Sequence, residues 1–434
     1  MAAIKRLPVH TKVTIGLVLG AIAGLVSQSA FTSNPDSLKW INDNVMQNVG
    51  GAFLAMMFMV VVPLLFSALA LGIAEIGEVA KVGRIGVQTL ALTVLFSSIA
   101  VGIGLAGVNL IRPGDAIPVE KRAELVASIN ASEAAKKGGA EKPAEVDPAV
   151  WGIVPKNPIL EATRALSGGI LPFMFFALVF GLALAGIEAE KALPVRAFLE
   201  GLFAVSQRMV EMAMSLAPFG VFALVFRTFS VLGFHALGTL GAYAITVVLC
   251  LAVHMFVTYP LALKFIAKLN PLQFFRQVRS VILTAFATSS SNATLPVALR
   301  VAEEEVGLPR DSSTFVLTVG ATANQNGTAL FEGVTILFLA QFMGISLSVP
   351  DQVTVMFLSI VAGIGTAGVP GGSWPMITGV IRRFGIPAES IGVVLGIDRI
   401  LDMCRTTLNV VGDMTIAACV AKFDDKPSAV STAD

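Results

Sequence analysis

The stretch VGATANQNGTALFEGV, residues 319–334, decides the fold of this chain. STFVLTVG (313–320) leads into it and TILFLAQFMG (335–344) follows, so Asn324, Gln325, Asn326, Gly327 and Thr328 interrupt a run that is otherwise apolar. The whole chain has the same character. Of its 434 residues 55% are hydrophobic and 14% charged, with a mean hydropathy of +0.81; a soluble domain carries about 25% charged residues. Several windows reach the roughly 20 apolar residues that span a bilayer. The reading is an all-α polytopic membrane protein, since no segment shows the alternation of a membrane β-barrel.

Working outward, apolar segments fall at 13–27, 46–74, 87–111, 166–187, 197–232 and 237–265. Between the third and fourth lies a polar, Lys/Glu/Ala/Pro-rich stretch that reads as a mobile external loop, 115–157. The basic start, MAAIKRLPVHTK, precedes a first span rather than a cleaved signal peptide. Lys5, Arg6, Lys12, Lys81, Arg84, Lys264, Lys268, Arg276 and Arg279 mark segment ends that alternate to one side, which places those ends in the cytoplasm of an inner (plasma) membrane. The net charge of +1 gives no case for nucleic acid, and Cys250, Cys404, Cys419, His10, His235 and His254 have neither disulfide nor metal-site spacing.

The last third has a different rhythm. Segments 274–299 and 353–380 are broken by TSSSNATLP (288–296) and GTAGVPGGSWP (365–375); segments 315–342 and 391–421 carry NQNGT (324–328) and DRILDMCRTTLNVVGD (398–413). Ser290 precedes Asn326 by 36 residues (326 − 290), and Val369 precedes Arg405 by the same 36 (405 − 369). A duplicated unit of hairpin plus helix gives this order. Broken backbone cannot face lipid, so both breaks must face protein, water or ligand.

Asp402, Arg405, Asn409 and Asp413 share one helix face, with Asp398 extending the stripe and Thr406 beside it. An ionised side chain near the bilayer centre costs about 2.5–3.5 kcal/mol on insertion scales, so such a stripe needs partners. Asp398, Asp402 and Asp413 against Arg405 leave it at −2 and short of cations, which points to bound Na⁺ or H⁺. Arg405 offers a planar fork for a carboxylate, and Asp402 a seat for an ammonium. GGSWP (371–375) approaches a nucleophile elbow, but Pro375 stands where glycine is needed and no histidine lies in its broken segment, so an enzyme is not expected. An anion-conducting channel would not need the Asp402–Arg405 pair.

These motifs resemble the dicarboxylate/amino acid:cation symporter family, the glutamate transporters. TSSSNATLP stands for the family's first hairpin, NQNGT for its N-M-D-G-T break and GTAGVPGG for its second hairpin tip. Asp398, Asp402, Arg405, Thr406, Asn409 and Asp413 match every named position of D-x-x-x-D-x-x-R-T-x-x-N-x-x-x-D. The resemblance implies a homotrimer with eight transmembrane helices plus two re-entrant hairpins per subunit, inverted repeats and an elevator mechanism. It implies scaffold helices in 1–86 and 158–233, a moving transport domain from 87–114, 234–270 and 271–424, and a disordered tail, 425–434. No cofactor is implied beyond co-transported Na⁺ and/or H⁺.

By the same resemblance Arg405 binds the side-chain carboxylate of an acidic amino acid and Asp402 its amino group. Asn409, Thr406, Thr328, Ser290, Ser291 and the backbone at Val369 and Gly371 hold the rest. One cation site uses Asp413, Asn409, Asn324 and Gly320; a second uses Thr322 with carbonyls of Gly363, Ile364 and Thr366. A C4-dicarboxylate symporter is the alternative: such members carry Ser at the position of Asp402, but Arg399 is reminiscent of bacterial branches that include them. Three departures meet in one place. Asn326 replaces the family's Asp, and an alignment anchored on RPG (112–114) puts Thr93 and Phe96 where sodium-driven members have Thr and Tyr ligands, keeping Ser97 alone. A third Na⁺ site is therefore expected to be absent. Glu332 stands where animal members carry a proton; it either does that here or hydrogen-bonds a neighbouring helix without titrating.

Overall fold

The computed structural model describes residues 9–81, 84–116, 154–165, 170–365 and 373–424, with 123, 126 and 127. The described residues are helical apart from turns and short connections. Helices α1 (Val9–Ala30), α2 (Gln47–Phe58), α3 (Val61–Lys81) and α4 (Arg84–Ile111) come first. Then follow α5 (Ile170–Gly186), α6 (Ala189–Leu232) and α7 (His235–Val253). Among the described residues five helical stretches are long and apolar enough to cross a bilayer: Thr11–Ala30, Pro35–Ala74, Arg84–Ala116, Ala189–Leu232 and His235–Ala267. The external-loop expectation for 115–157 and the tail 425–434 lie largely outside the described residues.

The fifth apolar segment is longer than its hydropathy suggests. Helix α6 runs for 44 residues through Pro194 and Pro218, about 66 Å at the α-helical rise. It packs along α1 and α2, while α3 packs on α5. The α1–α6 seam rests on a stripe of small residues. A methyl group on Gly20 or Gly24 would come 2.6 Å from the carbonyl oxygen of Phe222 or Phe226, and Gly16 abuts Pro218 in the same way. Without a hydrophobic force between helices in lipid, such close backbone approach is what holds two spans together.

The rest of the chain builds a second layer. Helices α8 (Arg279–Thr288) and α9 (Ser291–Val301) form a hairpin. At 10 and 11 residues each is about 15 Å long, half the hydrocarbon thickness. Ser289 makes the turn at φ 51°, and Ser290 caps α9 by accepting from the Ala293 N–H at 3.2 Å. Helix α10 (Arg310–Ala323) leads to α11 (Asn326–Met343), and between them Asn324 and Gln325 leave helical geometry. This is the break that NQNGT foreshadows. Helix α12 (Val349–Gly365) and α13 (Ser373–Arg383) flank residues 366–372, where the second hairpin tip is expected and which lie outside the described residues, and α14 (Asp398–Asp424) is the last described helix.

Helix α11 is buried on every face: of its residues only Gln341 is not fully enclosed. A helix apolar all round belongs in the middle of a bundle, and α4, α7, α12, α13 and α14 all pack on it. A single polar interruption in so enclosed a helix must satisfy its backbone groups inside the protein. Gly20→Val is expected to destabilise the protein by about 1–3 kcal/mol through overpacking at the α1–α6 seam. Gly102→Ala, with open space around it, is the control; thermal unfolding in detergent reads both, and equal midpoints for the two variants would remove the seam from the account.

Candidate functional site

The break between α10 and α11 exposes backbone donors, and α14 supplies their acceptor. Asn409 Oδ1 accepts from the Gly327 N–H at 2.7 Å and the Thr328 N–H at 3.3 Å. Its Nδ2 donates to Gln325 Oε1 at 2.5 Å and to Thr328 Oγ1 at 3.1 Å. One amide therefore caps the start of α11 as an N-cap side chain would, but from another helix. The approach is close enough that a Cβ at Gly327 would lie 2.6 Å from the Arg405 carbonyl oxygen.

One turn nearer the start of α14 lies the charge cluster. Arg405, 2% exposed, donates from Nη1 to Asp398 at 3.0 Å and from Nε to Asp402 Oδ1 at 3.0 Å, with Nη2 2.9 Å from the same oxygen. Its guanidinium lies over the Phe331 ring, 4.2 Å from the centroid, a cation–π contact strengthened by the absence of water. Trp374 on α13 donates Nε1–H to the other Asp398 oxygen at 2.8 Å. Glu332, 1% exposed, lies within electrostatic reach of Arg405. A buried charge without partners is strongly disfavoured, and breaking a buried pair costs several kcal/mol; here the guanidinium is held from three sides.

One turn beyond Asn409 lies the candidate cation cluster. Asn324 donates Nδ2–H to Asp413 Oδ1 at 2.6 Å, while its own Oδ1 is buried with no hydrogen-bond partner. A Cβ at Gly320 would sit 2.5 Å from Asp413 Oδ1, so the glycine admits the carboxylate to the α10 backbone. Gly320, Asn324 and Asp413 thus converge with a carboxylate and an unpartnered amide oxygen, while Asn409, one turn earlier on α14, spends its amide on the α11 break. Hard monovalent cations take oxygen ligands of this kind.

Residues 9–423 match the sequence profile described as the sodium:dicarboxylate symporter family. The chain belongs to the sodium:dicarboxylate symporter family. It is 32% identical to the "Proton/sodium-glutamate symport protein" of Bacillus subtilis (strain 168), across 95% of this chain and 92% of that protein. It is 30% identical to the protein of the same name from Geobacillus stearothermophilus, across 97% and 95%. With the "Proton/glutamate-aspartate symporter" of Escherichia coli (strain K12) it shares 29%, across 96% and 92%. The family membership and the apolar helices make this symporter a multi-pass membrane protein.

Within this symporter the other expected site residues divide by place. Thr406 and Thr328 are buried beside Arg405 and Asn409. Ser291, at the first hairpin tip, is 2% exposed with a hydroxyl that has no hydrogen-bond partner, and α9 packs on α14. The second cation set is only half visible. Thr322 is exposed and donates to the Val319 carbonyl at 3.0 Å, whereas Gly363 faces Ala329 and the Gln325 carbonyl. Thr366, Val369, Gly371 and the Ile364 side chain lie outside the described residues.

The polar place around Asn326 is neutral. Ser97 donates to Asn326 Oδ1 at 2.7 Å, Asn326 Nδ2 donates to the Tyr259 hydroxyl at 3.3 Å, and that hydroxyl donates to the Leu408 carbonyl at 3.1 Å. Phe96 packs its ring on Tyr259, and a Cβ at Gly412 would meet the same hydroxyl at 2.5 Å. Sequence reasoning missed Tyr259, Gln325, Phe331 and Trp374. A signal existed for the first: the chain has 28 Phe and only 2 Tyr, and both tyrosines are fully buried with hydroxyls bonded to α11, Tyr243 to Thr335 and Tyr259 to Asn326.

The expectation that the α14 stripe stands at −2 also needs correction. Arg399 lies 3.5 Å from Asp402, so residues 398–413 carry Asp398, Asp402 and Asp413 against Arg399 and Arg405, a net −1 (2 − 3). The remaining excess charge belongs to Asp413, which the guanidiniums of this cluster do not pair. Asn409→Ala removes the acceptor of two buried N–H groups; each orphaned donor costs about 1–3 kcal/mol. The expected outcome is a clear fall in the unfolding midpoint in detergent; an unchanged midpoint would mean the break finds other partners.

Proposed function

We propose that this protein is a secondary active transporter that moves acidic amino acids, glutamate or aspartate, together with protons and/or Na⁺. The observation that carries the reading is the buried Arg405 guanidinium, seated between Asp398 and Asp402 beside the α11 break. A zwitterion with a second carboxylate matches that arrangement: its side-chain carboxylate takes Arg405, and its ammonium takes Asp402. Asn409, Thr328, Thr406, the hydroxyls of Ser290 and Ser291 and the backbone at Val369 and Gly371 complete the polar shell. The names of the bacterial relatives support this substrate class.

The cation role falls to Asp413 with Asn324, Asn409 and Gly320, where Na⁺ as cargo would find a carboxylate and the free amide oxygen of Asn324. A second Na⁺ at Thr322, Gly363, Ile364 and Thr366 belongs to the same proposal. No third Na⁺ is taken at Asn326, because the Ser97–Asn326–Tyr259 chain is neutral and supplies no carboxylate to balance the ion, and Phe96 supplies no oxygen. Glu332, buried on α11 within reach of Arg405, is the proton carrier. The architecture proposed is a homotrimer of eight-span subunits with two re-entrant hairpins. Residues 1–86 and 158–233 form the scaffold, and 87–114, 234–270 and 271–424 the moving domain of an elevator. The short α8 and α9 and the packing of α6 against α1 and α2 support it. A second reading, symport of C4-dicarboxylates, is favoured by one observation: Arg399 already neutralises part of Asp402.

Binding of L-aspartate, L-glutamate and succinate to purified protein, with and without Na⁺, tests the reading. Arg405→Ala is expected to abolish acidic amino acid binding, a loss of 100-fold or more, on the order of 3 kcal/mol; retained binding would refute the site. For the coupling ion, uptake into proteoliposomes driven by a pH gradient without Na⁺ is expected to persist in the native protein and to lose its pH dependence in Glu332→Gln. Complete dependence of native uptake on Na⁺ would exclude proton-only coupling.

A further inference from the structure

Asp402 is bracketed. Its Oδ1 is held by Arg405, through Nε at 3.0 Å and Nη2 at 2.9 Å, and its Oδ2 faces Arg399 Nη1 at 3.5 Å. The two guanidiniums differ in how firmly they are fixed. Arg405 is 2% exposed, bonded also to Asp398, and stacked on Phe331. Arg399 is 16% exposed, its contact with Asp402 is beyond hydrogen-bond length, and its Nε is buried with no partner. Asp398 cannot exchange partners as freely, because one oxygen is taken by Arg405 and the other by Trp374. Within the quartet, the Arg399–Asp402 contact is the one able to open.

We infer that Arg399 is a specificity-determining residue: a displaceable counter-ion that occupies the ammonium seat on Asp402. It widens the substrate range to include dicarboxylates without an amino group. The inference rests on the assignment of Asp402 and Arg405 to substrate. When an amino acid binds, its ammonium replaces the Arg399 guanidinium at Oδ2, one cation for another, and Arg399 turns toward its exposed side. When a dicarboxylate binds, no ammonium arrives. Arg399 then stays, and Asp402 does not confront the incoming anion as an uncompensated charge. Specificity is a difference between two affinities, and a residue that competes with one ligand while shielding the other moves them in opposite directions.

Competition of unlabelled succinate and L-aspartate against labelled L-aspartate, on the purified full chain, reads this directly. Arg399→Gln is expected to bind L-aspartate more tightly and succinate more weakly. The ratio of their dissociation constants should shift about tenfold or more toward aspartate, the scale of one lost charge contact. Arg399→Lys, which keeps the charge, should leave the ratio within about twofold of native. Opposed shifts separate this role from simple destabilisation, which weakens both ligands together. Parallel weakening in Arg399→Gln, an unchanged ratio, or failure of succinate to compete at all in the native protein would each overturn the inference. Failure of the native protein to bind either ligand would instead overturn the substrate assignment on which it stands, and the inference with it.

Discussion

A guanidinium buried at the centre of a membrane protein must be held, and the holding of Arg405 organises the candidate site. Its partners are Asp398 and Asp402 on its own helix and Phe331 on α11, and Asp398 is in turn held by Trp374 on α13. Trp374 matters beyond its hydrogen bond, since it ties α13, on the far side of the second hairpin tip, to the first turn of α14. The charge cluster and α13 are therefore joined by one buried hydrogen bond. Desolvated charges in such a cluster are expensive to leave unmatched.

The second constraint is the break in α11. A helix enclosed on every side cannot satisfy opened backbone groups with water, so Asn409 reaches across to cap it. The same side chain adjoins Arg405 one turn before it and Asp413 one turn after. The proposed substrate and cation seats are thereby spaced along a single helix face, with one amide between them. Both proposed seats therefore adjoin the α11 break through the side chain that caps it.

Much of this was legible in the residues. Charged side chains at helical spacing inside an apolar run have few structural explanations, so Asp398, Asp402, Arg405, Asn409 and Asp413 declare both a shared face and a need for partners. The polar pentad 324–328 and the serine-rich turn at 288–291 declare breaks, because broken backbone cannot be left in lipid. Asn326 and Phe96 also announce, by residue type alone, a place without a carboxylate.

What remained hidden was whatever depends on the approach of one helix to another. Periodicity locates a face but not the neighbour it meets. Tyr259 filling the space beside Asn326, Phe331 beneath Arg405, and Gly16, Gly20 and Gly24 admitting the α6 backbone all belong to that class. So does the pairing of Arg399 with Asp402, which alters the charge count of the stripe. The sequence by itself determined the solvent, the helices, the breaks in them and the charges that require partners, since these follow from hydropathy and local backbone chemistry. Only the tertiary structure decided which partner each charge takes, because ion pairs and hydrogen bonds fall off over a few ångströms and that distance is set by packing.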